Sequence, residues 1–398
     1  MKCNVLIIGG GTGGIAVAAR LRNKNVDDIV ILEPAKTHYY QPIWTLVGGG
    51  LAPVEQSAKP MSKLIPKGVK WVQQAAVSVD AQTQTVKTAD GTEIEYNRLV
   101  VAAGIQLDWD ATPGMWEAVN SDHGSSNYLY DLAPHTWDLI KNMKSGTAVF
   151  MQPSGPIKCA GAPQKIAYLA ADYWRKQGVL DDIRMVMILP TPGMFGVPVF
   201  KKELEKVVAG YGIEVKFNSE VTNFDVAKRE LTISNLGEGD TPDEKLQYDF
   251  VHALPRQSAP DWIKDSALSV PDSPQGYVDV DKNTLQHVRY PNIFAIGDCG
   301  STPNSKTGAA IRQQAPTVVQ NIIDSLEGRE LSASYGGYAS CPLPVARDKI
   351  LIAEFDYTLE ATPTLPLINT LKPVKDFGLF KRRMLPMMYW KFMMKGRA

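Results

Sequence analysis

Val5-Leu6-Ile7-Ile8-Gly9-Gly10-Gly11-Thr12-Gly13-Gly14 begins as a short β-branched run and stops on a cluster of glycines. The alanine-rich pattern of Ile15 to Leu21 follows at helical spacing. The order is strand, glycine loop, helix. In the G-x-G-x-x-G arrangement Gly9 permits a tight turn, Gly11 lets a diphosphate approach the backbone, and Gly14 lets the helix sit close to the strand. The helix N-terminus then faces the anion. A second strand, Ile29 to Leu32, ends at Glu33, 19 residues beyond Gly14, where a ribose-binding acid belongs. An acid there repels the 2'-phosphate of NADP. The stretch predicts a βαβ unit that binds a dinucleotide at its first turn, against the alternative of a glycine turn with no ligand.

Around that unit the chain is 398 residues long, enough for two or three packed domains. With 44% hydrophobic and 21% charged residues it reads as a folded globular protein rather than a disordered or polytopic membrane one. Lys+Arg and Asp+Glu are both 42, so no whole-chain field concentrates nucleic acid. Four cysteines, Cys3, Cys159, Cys299 and Cys341, are too few for a secreted disulfide scaffold. No histidine cluster has metal-ligand spacing, so no metal site is expected. The first residues run directly into a strand, and no export or organelle signal is expected.

Where a second nucleotide fingerprint would sit, after the strand Gly146 to Gln152, the chain reads Pro153-Ser154-Gly155-Pro156-Ile157-Lys158-Cys159-Ala160-Gly161-Ala162-Pro163-Gln164-Lys165. Each of the three prolines removes an N–H that a diphosphate cradle needs, which argues against a nicotinamide site. Cys159 stands there instead, beside Lys158 and just before a helix predicted over Ala162 to Gln177. A cation and a helix N-terminus both favour a thiolate. Taken alone, such a cysteine is more often an inert packed thiol. Cys341 lies 182 residues on, in a predicted loop before the apolar strand Ile350 to Phe355. Cys3 and Cys299 read as packing.

Arg98 to Gly104 is RLVVAAG, and Pro291 to Gly300 is PNIFAIGDCG. With the glycine loop, these resemble the FAD-binding half of the flavoprotein disulfide reductase superfamily. That resemblance implies FAD, with Gly104 closing a strand and Asp298 binding the ribitol; a strand-end or helix-cap carboxylate is the alternative for Asp298. Longer stretches carry a narrower likeness. PIKCAGAPQK, GDC followed by Lys306-Thr307-Gly308, YGGYASCPL, AEFDY and Tyr39 to Gly48 resemble the sulfide:quinone oxidoreductases, in the subgroup that includes the mitochondrial enzyme. The resemblance implies a redox pair, Cys159 and Cys341. Sulfide attacks the bridged pair, the sulfur stays on Cys341 as a persulfide, and Cys159 passes two electrons to non-covalent FAD and on to a quinone. The sulfur leaves to a small acceptor such as a thiol or sulfite. Lys306 would stand near the flavin pyrimidine, and His38, in a matching stretch, is a candidate proton relay.

The expected fold is α/β, two Rossmann-like dinucleotide-binding domains of flavoprotein disulfide reductase type plus a C-terminal amphipathic membrane-associating segment. Residues 1–110 and 250–330 would form the FAD domain, 111–249 the second domain without a working NAD fingerprint, and 331–398 the second cysteine loop and the tail. Residues 372–398 carry eight basic residues and one acid among Phe, Met, Tyr and Trp side chains. Such a segment, predicted helical on either side of Pro386, suits a membrane interface and a quinone pocket. A core-packing helix or a dimer contact is the alternative. The expected location is peripheral, on the cytoplasmic face of a bacterial-type membrane. A type II NADH:quinone dehydrogenase, the flavin subunit of a sulfide dehydrogenase and a non-catalytic sulfur carrier are the competing functions.

Overall fold

The computed structural model describes the chain apart from Ala160, Glu238, Asp240, residues 365–367 and residues 376–379, and gives only the backbone of Ala162 and Phe380. Of the tail residues singled out from sequence, Asp376, Phe377 and Leu379 lie outside the described residues. So does part of the polar turn expected over 237–245.

The glycine loop sits at the end of the first strand, β1 (Lys2–Ile8), and feeds α1 (Thr12–Asn23). With β2 (Ile29–Leu32), β3 (Val69–Val72) and β4 (Glu93–Val101), β1 forms a parallel sheet in the order β3-β2-β1-β4. Leu6, Ile7, Val30 and Ile31 are all buried, as expected for strands covered on both faces. The strand Ile293–Ala295 arrives nearly two hundred residues later and pairs in parallel with the end of β4. Strands β2 and β4 flank β1 on opposite sides, so a crevice opens beyond the carboxyl end of β1.

A second parallel sheet contains β5 (Gly124–Ser125), β6 (Gly146–Met151), β7 (Ile183–Ile188), β8 (Glu214–Lys216) and β9 (Phe250–His252), in the order β5-β9-β6-β7-β8. The helix α2 (Ala162–Gln177) follows β6 through the cysteine loop, over the predicted range. Strand β9 departs from expectation: 250–252 was assigned to the first unit, yet it pairs with β5 and β6. The crossing between units falls just after it, at the ribbon formed by Gln106–Asp108 and Arg256–Ser258.

Cys341 also departs from expectation. It lies in a strand, β10 (Ala339–Ala346), which forms a hairpin with β11 (Lys349–Phe355) and pairs Cys341 with Ala353. The apolar residues of this hairpin, Leu343, Val345, Leu351 and Phe355, are buried with Ile166, Tyr168 and Phe200 in the core of the second unit. The segment after 331 is therefore not separate from that unit. The tail then makes a π-helical turn, Phe380–Met384, and a short helix, α3 (Leu385–Lys391), with Pro386 in its first turn. Among the described residues no helix is long and apolar enough to cross a membrane.

The glycines divide by role. A Cβ on Gly14 would meet the Gly9 carbonyl oxygen at 1.9 Å, whereas one on Gly11 would meet nothing within 4 Å. Gly14→Ala should therefore destabilise the ligand-free protein by about 3 kcal/mol or more, while Gly11→Ala should stay within about 0.5 kcal/mol. Denaturant midpoints of the two variants check this.

Candidate active site

The turn between β1 and α1 fits a dinucleotide diphosphate. Gly9 takes φ +102°, and its place against the Ala102 carbonyl leaves no room for a Cβ. Gly11 opens the helix with no side-chain cap, so the first amides of α1 and the open space over Gly11 are left for an anion. The Glu33 carboxylate lies at the end of β2, accepting from the Gly10 N–H at 2.7 Å and the Ala35 N–H at 2.7 Å. Gly104 closes the neighbouring strand end with φ +70° and open space where a Cβ would stand.

Asp298 lies in a short turn, Gly297–Cys299, after the late strand. Its carboxylate accepts no hydrogen bond from the described side chains and backbone. Burial raises its pKa, against the opposing pull of Lys306 and Lys158. An unpartnered carboxylate at the mouth of a dinucleotide crevice suits a polyol ligand. Lys306 does not hang free near it. Its ammonium donates to the carbonyls of Asp298 at 2.7 Å and Gly300 at 2.8 Å and lies 3.7 Å from the centre of the Tyr277 ring. Its backbone carbonyl accepts from the Cys159 N–H at 2.8 Å. Lys306 thus ties the Asp298 turn to the cysteine loop.

That loop is held rigidly. The Ser154 N–H and hydroxyl bond the two oxygens of buried Glu220 at 2.9 and 2.7 Å, and Arg256 closes on the same carboxylate through Nε and Nη2. The turn that elsewhere would cradle a phosphate is filled by an internal acid. Tyr128 Oη donates to the Lys158 carbonyl at 2.6 Å, and the Lys158 N–H donates to Gln257 at 2.8 Å. Cys159 takes φ +58°, unusual for a residue with a Cβ.

The fold closes the 182-residue gap: Cys159 Sγ and Cys341 Sγ lie 2.9 Å apart. Gly161 makes this possible, since a Cβ there would stand 3.0 Å from Cys341 Sγ and 2.4 Å from Leu343. The cation on the thiol is not Lys158, as expected from sequence, but Lys165 in the first turn of α2. Its Nζ donates to Cys159 Sγ at 2.8 Å. Lys158 points away, to Gln41 Oε1 at 2.7 Å and toward the rings of Tyr128 and Trp44.

A second ammonium arrives from the tail. Lys381 is buried, with its Nζ on the Pro342 carbonyl at 3.2 Å. Burial, reinforced by Lys165, pushes it down to about 7, although both sulfurs oppose the shift. A hydrogen bond from Cys341, followed by the charges of Lys165 and Lys381, outweighs burial and holds Cys159 well below the ordinary thiol range. Cys341, which donates that bond and is itself buried, is held well above it. The environment thus favours the thiolate at Cys159 and the thiol at Cys341. Burial pushes Cys3 up to about 12 and Cys299 up to about 11, so both are inert packing thiols.

Lys165 was missed although its helix was predicted; counting one turn in from the helix start would have found it. No local signal marks Lys381, which composition alone had placed among the basic residues of a membrane tail. Met384, Met387 and Phe392 remain exposed beside Arg383, Lys391 and Lys395.

Residues 3–321 match the family described as pyridine nucleotide-disulphide oxidoreductase. The mitochondrial sulfide:quinone oxidoreductase of Dictyostelium discoideum is 39% identical, covering 99% of this chain and 86% of that protein. The mouse mitochondrial enzyme of the same name is 36% identical, covering 98% and 86%. An X-ray structure of the sulfide:quinone oxidoreductase of Aquifex aeolicus superposes with a TM-score of 0.81 at 23% identity, covering 99% of this chain and 92% of that one.

With the Cys159 pKa held down, its alkylation by iodoacetamide in the reduced protein should be fast and nearly flat between about pH 7 and 9. In Lys165→Met the folded pKa rises, so the rate at pH 7 should fall about tenfold or more and climb with pH through the ordinary thiol range. Stopped-flow alkylation followed by peptide mapping reads both.

Proposed function

Because the chain belongs to the pyridine nucleotide-disulphide oxidoreductase family, and within it to the sulfide:quinone oxidoreductases, we propose that it oxidises sulfide at the Cys159–Cys341 pair and delivers two electrons through FAD to a quinone. The observation that carries the reading is the contact of Cys159 with Cys341 at 2.9 Å under the Lys165 ammonium, on a loop fastened to the Asp298 turn. Gly9, Gly11, Gly14, Glu33, Gly104 and Asp298 would hold FAD, which supplies a two-electron acceptor that can be reoxidised by quinone.

The protein's own residues do the rest. In the oxidised enzyme the two sulfurs are joined. Hydrosulfide attacks Cys341, the S–S bond breaks, and its electron pair leaves on Cys159, which Lys165 receives as a thiolate. The new bond makes Cys341 a persulfide. Lys381, with a pKa near neutrality, is placed beside Cys341 to exchange a proton with the incoming sulfide. A small nucleophile such as a thiol or sulfite takes the outer sulfur and frees Cys341. Re-forming the disulfide releases two electrons and closes the cycle. Leaving-group ability explains the asymmetry: the sulfur with the lower pKa departs, and its partner keeps the persulfide.

The tail supports peripheral attachment to a membrane, where the quinone resides. Its exposed Met384, Met387 and Phe392 face outward with basic neighbours that suit lipid phosphates. The cytoplasmic face of a bacterial-type membrane is the proposed side. The type II NADH dehydrogenase reading loses ground because Glu220 occupies the amide and hydroxyl of Ser154 where a second diphosphate would bind.

Anaerobic sulfide should bleach the flavin of the FAD-loaded protein, and a short-chain quinone should restore it. Cys159→Ser should lower the bleaching rate by at least about 1000-fold, and NADH should leave the spectrum unchanged. Bleaching by NADH but not by sulfide would reverse the assignment.

A further inference from the structure

We propose that Tyr389 is a positioning residue for the first glycine loop, so that retention of FAD depends on docking of the C-terminal helix α3; the proposal rests on the FAD reading above. Gly10 is held from both sides. Its N–H donates to Glu33 Oε2 at 2.7 Å, and its carbonyl lies 2.9 Å from His38 Nδ1. A carbonyl only accepts, so Nδ1 carries a proton. His38 is 3% exposed, and burial lowers its pKa, which makes it neutral with Nε2 as acceptor.

Tyr389 Oη stands 2.5 Å from that Nε2 and 2.8 Å from Thr12 Oγ1. Every proton in the chain is then assigned: Thr12 donates to Tyr389, Tyr389 to His38, and His38 to Gly10. Tyr389 is 3% exposed and packs with its ring centre 4.3 Å from that of Tyr40. Thr12 is the first residue of α1, the turn whose free amides face the diphosphate. One hydroxyl from the tail, nearly 380 residues away in sequence, therefore bridges two sides of the cofactor loop.

The tail is fastened to α1 at a second point remote from this loop. Asn23 Nδ2 donates to the carbonyls of Lys395 at 3.0 Å and Gly396 at 3.3 Å. The two attachments can be cut separately.

In the full-length FAD-loaded protein, release of FAD on dilution is read from the return of free-flavin fluorescence. Tyr389→Phe keeps the ring packing and removes both hydrogen bonds, so release should accelerate roughly tenfold or more. Thr12→Val approaches the same bond from the other side and should act in the same direction even if the first variant folds poorly. The double variant should add little to the larger single effect. Asn23→Ala, which loosens the far end of the tail, should change release by less than about twofold. Unchanged release in both Tyr389→Phe and Thr12→Val overturns the proposal. Equal acceleration by Asn23→Ala also overturns it, since the tail would then act only as general packing. A wild-type protein that takes up no FAD refutes the cofactor reading instead.

Discussion

An ionised thiol inside a protein is tolerable only when charge and hydrogen bonds compensate for the water it has lost. Here the compensation is drawn from three distant parts of the chain. Lys165 comes with α2, the Cys341 thiol comes with the β10 strand, and Lys381 comes with the tail. Gly161 keeps the gap between them narrow enough to matter. The second core, in which the β10–β11 hairpin packs on α2, exists at this site as the device that brings two sulfurs and an ammonium into one small space.

The two strand-to-helix turns that begin the two units are built on the same plan and have opposite electrostatics. After β1, glycines leave the helix amides bare and an anion is welcome. After β6, the equivalent space already contains an anion, Glu220, neutralised by Arg256. The backbone of the second turn, released from cradling a ligand, instead presents Cys159 in a left-handed conformation. One turn is open to an anion, and the other holds a thiol.

Local chemistry was readable from the sequence wherever neighbours in the chain are neighbours in space. The roles of Gly9, Gly11 and Gly14 follow from spacing, and the limits of α2 follow from periodicity and its proline start. Lys158 shows where that logic stops: adjacency in sequence put its charge on the thiol, and in the fold its ammonium lies on Gln41 instead. Cys341 read as loop because glycines and prolines surround it, yet tertiary pairing with Ala353 makes it strand. The expected boundary at 250 put β9 with the first unit, because short parallel strands carry no mark of their partners. Lys381 and Tyr389 were hidden by composition, since a basic aromatic tail looks alike whether its side chains face lipid or reach inward.

The order of synthesis gives the tail a further meaning. Both cysteines, both nucleotide-type turns and all of α1 leave the ribosome before Lys381, Tyr389 and Gly396, and units generally fold as they emerge. The nascent protein can thus assemble its sheets while its most reactive sulfur still lacks one of its two cations and its cofactor loop lacks its clasp. A chain cut short by early termination would keep both sulfurs and Lys165 but lack the Lys381 ammonium beside them and the Tyr389 hydroxyl on Thr12 and His38.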